Sequence, residues 1–130
     1  MTADVGLWVI AVLQVGTAIG MTAFWICWFR REHDEPWLPA SYVDHERVFV
    51  VADSVLSVAL VASAALLVAG RPVGESLALI AAGMLAFLGI LDLVYFAQHR
   101  MFSRGRGGIG NALIVGWALL LAVILAVRFA

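Results

Sequence analysis

The chain falls into four long apolar runs, at roughly 5–29, 48–69, 77–97 and 109–129, separated by short polar stretches. Each run is near the ~20 residues that a helix needs to cross the ~30 Å hydrocarbon core of a bilayer. Strands of a membrane barrel would be about half as long and would alternate polar with apolar residues. Lipid gives a bare backbone nothing to hydrogen-bond, so runs of this length are predicted to be helices. The expected fold is an all-α integral membrane protein, an antiparallel four-transmembrane-helix bundle with short loops. It forms a single domain over residues 1–130, with helices at roughly 5–29, 42–69, 75–100 and 109–129.

The connections carry their own signals. Ser41 followed by Asp44 is a capping-box pattern that starts the second helix near Tyr42, ahead of its entry into lipid, and Gly70-Arg71-Pro72 stops it on the far side. Glu75 suits the N-terminus of the third helix, and His99 and Arg100 suit its C-terminus. The run from Ser103 to Gly108, with Arg104 and Arg106 among glycines, reads as a flexible turn. The first apolar run is too long for the core of a signal peptide and follows Asp4 with no basic residue before it, so it is expected to be a permanent anchor.

Composition removes the soluble classes. Of 130 residues 64% are hydrophobic and 13% charged, with a mean hydropathy of +1.02, against about 25% charged in a soluble domain. Little chain is left for a soluble domain, and no nucleic-acid partner is expected. The eight basic residues are all arginine. Arg30, Arg31, Arg47, Arg100, Arg104 and Arg106 flank the first and third loops, and only Arg71 and Arg128 lie opposite. The positive-inside rule therefore predicts cytoplasmic first and third loops and extracytoplasmic termini. Arginine without lysine, with abundant alanine, suggests the plasma membrane of a bacterium. The three arginines around the Gly-rich turn also suit anionic lipid headgroups.

Two aspartates inside the apolar runs are the main functional signal, because inserting one at a helix centre costs about 2.5 to 3.5 kcal/mol and such residues mark pathways or ligand sites. Counted from the lipid boundaries, Asp53 lies five residues into the second run and Asp92 five residues before the end of the third. That places both at one depth, ~7 to 8 Å below the cytoplasmic boundary, where they are expected to face each other. A second rung is expected nearer the surface, with Glu46 opposite His99. Ser57 lies one turn deeper than Asp53, Tyr95 one turn outward from Asp92, Trp25 level with the pair, and Asn111 at the opening of the fourth helix on the same side. Two carboxyls in a low dielectric cannot both stay charged, so one is expected to hold a proton. The plainer alternative is that each aspartate bonds a serine, tyrosine or arginine and fixes helix register.

Other residues carry less. No His-x-x-x-His or Cys-x-x-Cys spacing appears, so no metal site and no cofactor are expected, and the three histidines read as surface imidazoles beside carboxylates. Cys27 is alone and is expected to pack as a small apolar side chain. Pro36-Trp37-Leu38-Pro39 suits a segment lying along the membrane surface. Small residues four apart, Gly16 with Gly20, Ala78 with Ala82, Ala112 with Gly116, and Ala118, Ala122 and Ala126 in series, allow close helix approach within the bundle or between subunits.

Three functions fit. The first is a protein that binds or transports a lipophilic small molecule, cations included, at a proton-titrating aspartate pair against Trp25 and Tyr95. The plan resembles that of the small four-helix multidrug exporters, but their essential acid lies in the first helix, where this chain has none. The second is a membrane enzyme doing acid–base chemistry on a lipid or isoprenoid, with His99 or Tyr95 assisting an aspartic acid. The third is an accessory subunit of a larger membrane complex. The expected partners are membrane lipids, a lipophilic small molecule, and a second copy of the chain or a larger membrane subunit.

Overall fold

The computed structural model describes residues 4–103, 105 and 107–130, and Arg104 and Arg106 lie outside the described residues. Four helices follow in order: α1 (Val5–Phe29), α2 (Tyr42–Val68), α3 (Val73–Gln98) and α4 (Gly108–Phe129). All four are long and apolar enough to cross a membrane, which supports a multi-pass membrane protein. There is no strand among the described residues. Each helix presents apolar side chains outward as well as to the core. On α2, Leu56, Leu60, Ala64 and Leu67 are buried while Val48, Val51, Val55 and Val58 stand exposed. An apolar helix face left outside the bundle is what lipid contact requires.

Close packing joins α1 to α2, α2 to α3, and α3 to α4. Ser63 ties three of the helices together. Gln14 Nε2 donates to Ser63 Oγ at 3.0 Å, and Ser63 Oγ donates to the Gly74 carbonyl at 2.8 Å. Ala78, Ala81 and Ala82 let α3 approach this core closely, among Leu56, Leu60, Leu85, Leu121 and Leu125. The small residues of α1 and α4 behave differently, since a Cβ added to Gly16, Gly20 or Gly116 would meet nothing within 4 Å. Those two helices are linked by side chains: Trp117 Nε1 donates to Thr17 Oγ1 at 2.9 Å, and Arg128 pairs with Asp4 at 3.4 Å.

α2 and α3 end in the same way. Arg71 N–H donates to the Leu66 carbonyl and Gly70 N–H to that of Leu67; in α3, Met101 N–H donates to Phe96 and Arg100 N–H to Ala97. These are Schellman closures, which need a left-handed residue just past the helix. Gly70 (φ 76°) supplies it at little steric cost, whereas Arg100 (φ 56°) does so against the Cβ clash, at roughly 1 kcal/mol. Met101 packs against Phe96 and completes the second closure.

Two local expectations are corrected. α2 starts at Tyr42 as the pattern predicts, but Ser41 makes no side-chain cap. Its hydroxyl meets Tyr95 OH at 2.8 Å instead, a contact no local pattern contains. Cys27 is exposed on the outer surface and does not pack into the interior. In the first loop, Leu38 folds back onto the cluster of Phe96 and Met101, so this segment covers the end of α3.

Between α2 and α3 the chain turns within a few residues, and Gly74 sits against the last turn of α2. A Cβ there would lie 2.7 Å from Leu67 N and 3.1 Å from the Leu66 carbonyl carbon. Backbone cannot swing aside as a side chain does, so Gly74→Ala must push the hairpin apart. It is expected to lower stability by about 1–3 kcal/mol, the usual cost of overpacking, in denaturant titration of the detergent-solubilised protein. An unchanged midpoint would mean that α3 does not start against α2.

Candidate functional site

The end of the bundle formed by the C-terminal halves of α1 and α3 and the N-terminal halves of α2 and α4 holds a partly open cavity of about 390 Å³. Its walls are mostly apolar and aromatic, including Trp25, Phe49, Leu85 and Phe96, and three carboxyl side chains reach it: Glu46, Asp53 and Asp92. Asn111 also lines it, with its amide nitrogen committed to the Met101 carbonyl at 2.7 Å. Of the residues singled out from sequence, Asp53, Asp92, Glu46, Trp25 and Asn111 thus share one cavity. Ser57 lies instead in a second, more open hollow of about 590 Å³ on the outer side of α1 and α2, to which Asp53 and Trp25 also contribute. Tyr95 and His99 stand beside the cavity as one stack, ring centroids 4.2 Å apart.

Asp53 and Asp92 have different partners. Trp25 Nε1 donates to Asp53 Oδ2 at 2.9 Å, and Trp25 is buried and edge-packed on Trp28. The level assigned to Trp25 from sequence is therefore the level of Asp53. Asp92 Oδ1 lies 3.4 Å from His45 Nε2.

The equal-depth expectation is corrected by the register of the hairpin. Ser63 bonds to Gly74, His45 meets Asp92, and Ser41 meets Tyr95. Partner numbers thus fall along α3 as they rise along α2, with Asp92 level with His45. Asp53 is eight residues further along α2 than His45, or ~12 Å deeper along the axis at 1.5 Å per residue. The two aspartates line one cavity at different heights. Lipid boundaries misled the count because the first turn and a half of α2, Tyr42 to Arg47, is polar yet already helical and packed on α3.

His45 is the residue that spacing missed. It stands half-buried beside the cavity, with its ring on Tyr95 at 3.6 Å and nearly parallel (8°), and with Phe49 tilted against it at 4.9 Å. Tyr95 is itself held by Ser41. Beyond this stack, Trp28 Nε1 donates to Tyr42 OH at 3.1 Å while the His33 ring stacks on Trp28 at 4.2 Å. The aromatic side chains therefore clamp the ends of α1, α2 and α3 together around the carboxyls.

One ligand atom each from His45, Glu46 and Asp92 lies within 4.8 Å of the others. Glu46 is 4% exposed, and its Oε1 has no hydrogen-bond partner among the described residues. A buried acceptor left unbonded costs about 1–3 kcal/mol.

Four helices long and apolar enough to cross a membrane support the class of multi-pass membrane proteins. No family model, curated protein or solved structure matches the chain.

Proposed function

We propose that this protein binds and carries a lipophilic cation in a proton-linked cycle, as an antiparallel four-helix bundle in a bacterial plasma membrane. The supporting observation is the cavity of about 390 Å³, in which Glu46, Asp53 and Asp92 stand among apolar and aromatic walls. Ligand sites run from about 300 to 1,000 Å³ and pair apolar walls with a few placed polar groups. Among the described residues three acids and no arginine line the cavity, so an anionic guest is repelled, whereas a cation is attracted by the carboxylates and by the face of Trp25. Protons compete for the same oxygens, which couples release to acidification.

Arg30, Arg31, Arg47 and Arg100 all lie at the end of the bundle that holds the cavity, and the positive-inside rule makes that end cytoplasmic. Gly16, Gly20 and Gly116 leave open space on α1 and α4, so a lipophilic guest reaches the cavity from the lipid side once the Trp117–Thr17 bond yields. An accessory-subunit role is supported less, because its polar groups belong on an outer face and these point into a cavity.

Native mass spectrometry of gently extracted protein tests the proposal. The wild type is expected to carry a small co-purifying mass that is absent from the double Asp53→Asn, Asp92→Asn variant. A bound second polypeptide, or a bare particle unaltered by the substitutions, would overturn the reading in favour of a subunit.

A further inference from the structure

The lipophilic-cation reading leaves Glu46 unexplained. It is the most deeply buried of the three acids, and its carboxyl has an oxygen with no partner. Methionine would fill a similar volume with no polar oxygen left to satisfy. His45 and Asp92 each bring an atom within 4.8 Å of the Glu46 carboxyl, and these offer two kinds of metal-binding atom.

We infer that His45, Glu46 and Asp92 form a binding site for a divalent first-row transition-metal ion, with zinc as the reference cation, held by one imidazole nitrogen and two carboxylates. Geometry is the first argument. A tetrahedral zinc at about 2.0–2.2 Å from each donor sets the donors roughly 3.3–3.5 Å apart. His45 Nε2 and Asp92 Oδ1 are already at 3.4 Å. The Glu46 donor, within 4.8 Å of both, closes the remaining gap by rotation of its own side chain.

Charge is the second argument. One buried and one half-buried carboxylate sum to zero with a dication, so the ion offsets the penalty of holding both acids in an apolar bundle. The unbonded Glu46 oxygen gains a partner in the same step. Donor type is the third. A mixed imidazole and carboxylate set suits zinc, iron or manganese more than magnesium or calcium, which favour oxygen alone.

Support around the donors completes the picture. The His45 ring is stacked on Tyr95 and touches Phe49, and Tyr95 is held by Ser41. Such outer contacts orient a ligating imidazole before the ion arrives. Glu46 and Asp92 both line the cavity, so the remaining coordination position opens into it and is available to water. This inference goes beyond the lipophilic-cation reading and survives its failure, because Asp53 and Trp25 lie outside the three-residue cluster.

The test uses the full chain in detergent, stripped with a chelator and titrated with Zn²⁺ and, for spectroscopy, Co²⁺. One equivalent per chain is expected. Loss of supporting contacts alone costs 10–100-fold in affinity at metal sites, so Glu46→Gln and Asp92→Asn are expected to weaken binding by at least about a hundredfold. Asp53→Asn is expected to keep the metal while binding the lipophilic cation at least about tenfold more weakly, which separates the two readings. Because the Glu46→Gln chain must first be shown to fold, X-ray absorption of the Co²⁺-loaded wild type provides a second measurement. A shell of one imidazole nitrogen with oxygens supports the site. Absence of stoichiometric binding to the wild type, a shell without imidazole, or full affinity in folded Glu46→Gln would overturn it.

Discussion

Asp53→Asn is expected to weaken binding of a lipophilic cation such as a tetraalkylammonium at least about tenfold, which corresponds to about 1.4 kcal/mol. Asparagine keeps the shape of the side chain and an oxygen that can accept from Trp25 Nε1, so the 2.9 Å bond that positions Asp53 is retained. Only the charge is removed. At 4 Å and an effective dielectric of about 20, a unit charge pair is worth about 4 kcal/mol before desolvation. Stripping water from both ions takes back much of that, and the tenfold effect is the remainder. Fluorescence or calorimetric titration from pH 5 to 8 adds a second readout. Protons and guest compete for the carboxylates, so wild-type affinity is expected to fall as pH falls, and the slope is expected to be shallower in Asp53→Asn. Equal affinity in the two proteins, or a wild-type affinity independent of pH, would remove Asp53 from the site.

The helices were legible because the signals that make them are local. A long run without charge has one stable form in lipid, and α1 spans the predicted 5–29 while α2 begins at the predicted Tyr42. Gly70 was legible for the same reason, as a turn-former at a helix end. The content of the site was partly legible too, since an acid in an apolar run is conspicuous, and Asp53, Asp92, Glu46, Trp25 and Asn111 do line one cavity. Pairing was not legible, because it depends on register. Counting inward from the lipid boundaries pairs Asp53 with Asp92, whereas counting outward from the tight turn at 69–72 brings His45 to Asp92 within about one turn. That turn fixes the register, with Ser63 bonded to Gly74. The histidine looked like a surface residue because its neighbours Asp44 and Arg47 are charged and exposed. On a helix those two point away from the side that carries His45 and Phe49 to α3.

Glu46→Met is expected to raise stability in the metal-free protein by about 1–3 kcal/mol, the penalty recovered when an unbonded buried acceptor is removed. Methionine is unbranched and fills irregular space, so the replacement adds little strain. Ser63→Ala provides the contrast. Ser63 is also fully buried, but it accepts from Gln14 and donates to the Gly74 carbonyl, and its removal strands both partners. Polar contacts between membrane helices average about 0.6 kcal/mol each, so Ser63→Ala is expected to lose roughly 1 kcal/mol. Both shifts are read in one experiment, as unfolding midpoints in chelator-treated detergent solution. Opposite signs would divide the buried polar residues by what keeps them in place. Ser63 would hold helices together, while Glu46 would persist against the interest of the fold, as residues of a binding site do. A loss of stability in Glu46→Met would reverse that argument and make Glu46 a structural contact of the α2–α3 hairpin.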